Sequence, residues 1–223
     1  MSARSLLVYS SVTGNTRRLA EAVYQAMPEG TAMFPVKGAP GRLRRVGLAG
    51  SFYTDELAGL SNAGGVAALG NAAGIDGPGG LEEPDAPSEL AGFDFIALGF
   101  WVYRAAPDPL MLRYMSNIRG KTVALFGTLA AWPDSPHAAK VLENAARALE
   151  GNNIILSFLC QGALSPRRMA LKLQRPGSRH PMTPERLARL EEAARHPNEQ
   201  DFTRARAAFT DAITRSGITH KLG

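Results

Sequence analysis

Four aliphatic hydroxyls, a glycine and an asparagine lie together in Tyr9–Thr16, which reads Y-S-S-V-T-G-N-T after the apolar run Leu6-Leu7-Val8. Behind the segment, Leu19, Ala20, Val23 and Met27 recur at helical spacing. A strand, a tight loop and a helix start in that order can hold an anion. The first N–H groups of a helix lack intrahelical partners and carry partial positive charge. Hydroxyls at Ser10, Ser11, Thr13 and Thr16 can donate to phosphate oxygens, and the N–H groups of Val12, Gly14 and Asn15 can join them. Gly14 lets the backbone turn closely around a ligand. The loop has no lysine for G-x-x-x-x-G-K-[ST] and no G-x-G-x-x-G, so neither the P-loop nor the dinucleotide fingerprint applies. A capped βα turn with no ligand remains open on these residues alone.

The elements that must position this loop follow from hydropathy. Five strand-like runs, Ser5–Ser10, Thr31–Val36, Phe93–Phe100, Thr122–Thr128 and Asn153–Gln161, are nearly continuous apolar stretches. Strands buried on both faces of a parallel sheet read this way. Helical patterns fall between them: Pro107–Ile118, then a helix opened by Ser135-Pro136 with Val141, Leu142, Ala145 and Leu149 on one face. Two more follow the last strand. One starts at Thr183-Pro184-Glu185 and carries Leu187, Leu190 and Ala194. The other starts near Glu199 and carries Phe202, Ala205, Phe209 and Ile213. The alternation predicts an α/β fold, a doubly wound five-stranded parallel sheet of order 2-1-3-4-5, with a helical C-terminal extension. Lys37–Glu89 is longer than a crossover needs and holds more than half of the 23 glycines. We read 1–223 as one domain with an insertion at about 37–89, either a functional flap or a linker.

In that order the ligand crevice lies beside strand one, where strand order reverses. Two further loops should converge there. The first is Gly99–Asp108, with Phe100, Trp101, Val102, Tyr103 and Arg104. The second is Gly127–Ser135, with Gly127, Thr128, Leu129, Ala130, Trp132 and Asp134. Both tryptophans of the chain fall in these loops. A flat π-system needs faces to stack on and backbone groups at its edge, which these segments can supply. Cover of the sheet end is the alternative use of the same rings. No Ser-His-Asp, Cys-His or metal-ligand constellation stands out, so no catalytic side chain and no metal are expected.

Ser11–Thr16 resembles the [ST]-x-T-G-x-T loop of flavodoxins. G-F-W-V-Y-R, F-G-T-L-A-A-W-P-D-S-P-H-A, C-Q-G and H-P-M-T-P-E-R-L-A-R resemble a flavodoxin-like domain family of anaerobic bacteria. The resemblance spans most of the chain except 37–89. It implies FMN as cofactor, with its phosphate in the Ser10–Thr16 loop and its ring between the two aromatic loops, and a role in electron transfer to a redox partner protein. Two alternatives share the fold: an NAD(P)H-dependent quinone or flavin reductase, and a flavin-binding accessory subunit of a reductase.

The net charge of +5 departs from the acidic character of flavodoxins and points to a partner, such as a reductase, with an acidic docking surface. Basic residues are dispersed in pairs such as Arg17-Arg18, Arg44-Arg45 and Arg167-Arg168, without the basic stripe of a nucleic-acid binder. No apolar run approaches the length of a membrane span. A strand beginning almost at once and a single cysteine, Cys160, predict a cytoplasmic protein.

Overall fold

The structure, a computed structural model, describes residues 4–36, 90, 92–165, 169–170 and 182–218. The expected insertion at 37–89, with Arg44-Arg45, and the pair Arg167-Arg168 lie outside the described residues.

Among the described residues, five parallel strands form the sheet: β1 (Ser5–Tyr9), β2 (Ala32–Pro35), β3 (Phe95–Tyr103), β5 (Thr122–Leu129) and β6 (Asn153–Gln161), in the order β2-β1-β3-β5-β6. This is the order expected for the long strands. The structure adds β4 (Ala106–Pro107), which pairs antiparallel with the end of β3 at Val102↔Pro107 and Tyr103↔Ala106. Trp101, Val102 and Tyr103 therefore belong to a strand and a hairpin. They are not the loop read from the sequence. The aromatic and β-branched run prolongs β3 after Trp101, its last partner on β5, and finds a new partner in the chain folding back. The two-residue turn puts Arg104 and Ala105 at φ 49° and 60°. Left-handed values at both positions match a hairpin's twist, and two non-glycine residues store strain there.

The helices are α1 (Asn15–Tyr24), α2 (Pro109–Met115), α3 (Pro136–Ala148), α4 (Pro184–Ala193) and α5 (Glu199–Arg215). α2 is shorter than the Pro107–Ile118 pattern, because Pro107 is used by β4 and Pro109 takes the first helical position behind the cap Asp108. α3 begins at the Ser135 cap as expected, and Val141, Ala145 and the following Leu149 are buried. α4 starts at Thr183, but its buried residues are Leu190 and Ala193; Leu187 is 39 % exposed and Ala194 faces solvent. The inward stripe is thus rotated from the 187–190–194 face read from the sequence.

Alternation along each strand builds two cores. Leu6, Val8, Ile96, Leu98, Phe100, Val123 and Leu125 pack with Met111, Met115, Ile118, Val141 and Ala145 on the α2–α3 side. Leu7, Phe95, Ala97, Ala124 and Phe126 pack with Leu19, Val23, Ala205, Phe209 and Ile213 on the α1–α5 side. Phe126 and Phe209 meet edge to face at 5.9 Å, so Phe209→Ala is expected to cost about 3–5 kcal/mol. Helices on both faces make the sheet doubly wound. They also fix where its strand ends open: β1 lies between β2 and β3, so the connections from β1 and β3 leave on opposite faces and part above the sheet. Among the described residues no helix is long and apolar enough to cross a membrane.

Candidate functional site

The chain leaves β1 through Ser10, whose N–H donates to the Gly99 carbonyl at 2.8 Å and prolongs the β1–β3 ladder. Gly14 then precedes α1 at φ 86°, a conformation that favours glycine. It supplies no capping side chain, and the first turn of α1 carries no acidic residue. The N-terminus of α1 therefore keeps its positive end for an outside anion. The Arg17 N–H is directed to Ser11 Oγ at 3.3 Å, which draws the loop into a turn.

Thr16 is 1 % exposed, and its hydroxyl lies 3.0 Å from that of Thr128, at the far end of β5. Two hydroxyls in contact use one proton between them and leave the other to be donated. Ser10 is spoken for: its hydroxyl donates to Asp108 Oδ1 at 2.9 Å in a buried contact, so it does not face an anion in the loop. Asn15 is also committed, donating through Nδ2 to the Ala163 carbonyl at 2.8 Å. Thr13 and Val12 stay exposed at the mouth, Val12 by 65 %.

Asp108 caps α2, accepting from Leu110 N and Met111 N at 3.2 and 3.3 Å on the oxygen that also receives Ser10. Burial pushes its carboxyl up to about 6, although the hydrogen bonds it accepts oppose the shift. Among the described residues, Oδ2 has no hydrogen-bond partner.

The aromatic residues separate into different roles. Trp101 lies half-buried on the cleft wall, edge to face with Tyr103 at 5.8 Å. Tyr103 is buried, and the Arg104 guanidinium sits 5.4 Å above its ring, so its face is covered by its own hairpin. Trp132 is 45 % exposed on the loop after β5, near the exposed Asp134. Phe100 and Gly127 do not reach the cleft. Phe100 is fully buried in the α2–α3 core, and a Cβ on Gly127 would lie 2.7 Å from its ring. Gly127 is glycine to admit Phe100, which is a packing role.

The cleft itself lies between the carboxyl ends of the strands. Its walls are Val12, Thr13 and Asn15 after β1, Trp101 and Val102 of β3, Thr128–Ala130 of β5, and Gly162–Ser165 after β6, around about 470 Å³ of space including the open mouth. The last wall was not foreseen. Gly162 donates to the Leu129 carbonyl at 2.8 Å, and a Cβ there would stand 3.1 Å from Thr128 Cβ and 3.2 Å from Asn15 Nδ2. The one hint in the sequence is a glycine directly after an apolar strand, C-Q-G, where close backbone approach is common. Among the described residues, no group of three or more His, Cys, Asp or Glu is placed to hold a metal.

The family model for the flavodoxin domain matches residues 81–210, from before β3 into α5. Over 221 residues the chain is 27 % identical to the flavodoxin-like domain-containing protein BilS of Clostridioides difficile (strain CD3), covering 96 % of this chain and 99 % of that protein. Among solved structures, a flavoprotein in complex with FMN from Lactobacillus acidophilus NCFM aligns at 22 % identity over 71 % of this chain and 93 % of that one, with a TM-score of 0.44. A short-chain flavodoxin associated with a non-canonical PDU bacterial microcompartment aligns at 10 % identity over 97 % and 99 %, with a TM-score of 0.48.

Proposed function

The chain belongs to the flavodoxin domain family, and from that premise we propose that it binds FMN in the cleft above β1 and β3 and acts as an electron-transfer protein. The observation that carries the reading is the start of α1: without a capping side chain at Gly14, free of acidic residues, placed at the point where strand order reverses, and backed by the Thr16–Thr128 hydroxyl pair. A terminal phosphate satisfies each of these features. The residues present fit the rest of the group. Thr13 and the helix N–H groups hold the phosphate, and Leu129, Ala130 and Gly162 offer backbone to the ring edge. Trp101 and Trp132 offer apolar surface to its faces.

FMN when bound supplies one- and two-electron chemistry. The protein's part is to bind it, orient it and limit water at the ring. No second phosphate-binding turn is seen among the described residues, which favours FMN over FAD. The +5 charge suits an acidic redox partner, and one buried cysteine, its thiol pushed up by burial, suits a reducing cytoplasm.

The test is the purified protein's visible spectrum, followed by mass spectrometry of the released cofactor. Flavin bands and a mass of FMN support the reading; FAD as the dominant species, or protein that takes up no flavin on reconstitution, overturns it. Steady NAD(P)H oxidation by the holoprotein would assign it instead to the reductases that share the fold.

A further inference from the structure

Two walls of the cleft meet at one buried carboxyl. Asp108 Oδ1 receives Ser10 Oγ, the first side chain of the anion loop, and the N–H groups of Leu110 and Met111 at the start of α2. The Asp108 N–H donates to the Trp101 carbonyl at 3.0 Å, so the same residue closes the hairpin that carries Trp101 and Tyr103. Capping of a seven-residue helix does not require this arrangement, because caps usually stand at the surface and Asp108 is 1 % exposed.

We propose that Asp108 is a positioning residue for the phosphate site, clamping the anion loop to the aromatic hairpin, and that it carries a proton when the phosphate is bound. The proposal rests on the reading of the cleft as an FMN site.

Among the described residues, no charged side chain pairs with the carboxyl. Its contacts are a serine hydroxyl and backbone N–H groups. The cations on the adjoining elements are Arg104 at the hairpin turn, which covers Tyr103, and Arg113 in the last turn of α2. Tyr9 on β1 packs in the opposite core, on the α1–α5 side, where Arg17 and Glu21 act on it. α3 reaches the hairpin through Asn144 Nδ2, which donates to the Ala105 carbonyl at 2.8 Å. Its charged residues Lys140, Glu143 and Arg147 pair with one another in solvent. Among the described residues no donor meets Oδ2, so an ionised Asp108 would leave it charged and buried without one, and a proton taken from solvent removes that cost. A phosphate in the adjacent loop adds a negative charge nearby and favours the same proton.

The substitution Asp108→Asn separates charge from shape, since the amide oxygen can still accept from Ser10, Leu110 and Met111. FMN dissociation constants would be measured for parent and variant from pH 5 to 8. The ratio of the two cancels the titration of the cofactor's own phosphate. At pH 5 the two proteins should bind alike. By pH 8 the parent should have weakened relative to the variant by about three-fold or more. Parallel profiles overturn the proposal. In the cofactor-free protein the folded carboxyl holds its proton more tightly than the unfolded one, so parental stability should fall, relative to Asp108→Asn, as pH rises from about 4 through about 6. A thermal-unfolding gap that does not open over that range overturns it too. Ser10→Ala keeps the carboxyl and removes the clamp. It should weaken FMN binding by about three-fold or more at every pH, and parental affinity in that variant overturns the clamp. A parent that binds no flavin at any pH overturns the cofactor reading and the proton linkage with it. A parent that binds FMN beside a parallel variant overturns this proposal alone.

Discussion

Thr16 and Thr128 bring two hydroxyl protons to a contact that consumes one. On the proposed reading the spare proton, in a buried position under the start of α1, is donated to the phosphate. Replacing Thr16 by Val keeps the volume and removes it. A charge-assisted hydrogen bond is worth about 1.5–3 kcal/mol, so FMN affinity should fall roughly ten- to hundred-fold. Arg18→Ala should do much less. That guanidinium lies 6.0 Å above the Phe202 ring and only 3.5 Å from Asn15 Oδ1, a role in joining α1 to α5. Titration by flavin fluorescence decides the order, and a larger loss in Arg18→Ala would refute it. The aromatic residues divide in the same way. Trp132→Leu should weaken FMN binding by about 0.5–1.5 kcal/mol beyond lost area and leave unfolding unchanged. Tyr103→Leu should lower stability first, because Tyr103 is buried against Trp101 and Arg104; unfolding midpoints and Kd values together check both. At this scale the sequence reading named the loop but misjudged some of its hydroxyls. Ser10 looks like a phosphate donor until its partner, 98 residues away, is seen. No local pattern records a contact of that separation, and the same is true of Asn15 and Ala163.

The loop after β6 connects the cleft to a charged corner between α4 and α5. Ala163 N–H donates to the His196 carbonyl at 3.3 Å, while the Ala163 carbonyl holds Asn15. His196 contacts Asp201 through Nδ1 and Glu192 through Nε2, and Asp201, fully buried, also pairs with Arg204. Burial disfavours the His196 cation, but the hydrogen bonds and charges of Asp201 and Glu192 outweigh it, so its pKa is raised above 6.5. A raised folded value means stabilisation fully present below the unfolded value and lost as pH rises through the folded one. The denaturation midpoint of the parent should therefore drop as pH rises above about 6.5, and His196→Gln should flatten that drop. An equal slope in both proteins would show that the corner does not titrate in this window. The strands were legible because each reads as a nearly continuous apolar run, although only β1, β3 and β5 are buried on both faces and the edge strands β2 and β6 are half-buried. Asn153–Gln161 falls where the pattern put it. The β3–β4 hairpin was not legible, since Ala106-Pro107 carries almost no strand signal of its own and pairs only because Val102 and Tyr103 lie opposite. The α4 face was misread by one position, because Leu187 fits the helical spacing yet stays 39 % exposed at the surface.

For the molecule as a whole, alternating β and α runs and capped helix starts lead to one doubly wound sheet, and the positive end of α1 lies where that sheet opens. A ligand seated there touches the loops after β1 and β6 and the ends of β3 and β5 at once, so it must bind the folded chain and not the unfolded one. Such a ligand stabilises by RT ln(1 + [L]/Kd), about 2.7 kcal/mol at a hundred times Kd. For a domain of this size, each kcal/mol moves the midpoint by about 2–4 °C, so saturating FMN should raise Tm by roughly 5–11 °C. Riboflavin offers the same ring without the phosphate. If the α1 start and the Thr16–Thr128 pair supply the main polar contacts, riboflavin at equal concentration should raise Tm by clearly less, and Thr16→Val should bring the two flavins closer together. Inorganic phosphate alone should give a small shift that Thr16→Val also reduces. Equal shifts from FMN and riboflavin in the parent would mean that the ring walls do the binding and that the loop at Ser10–Thr16 is an ordinary turn between a strand and a helix.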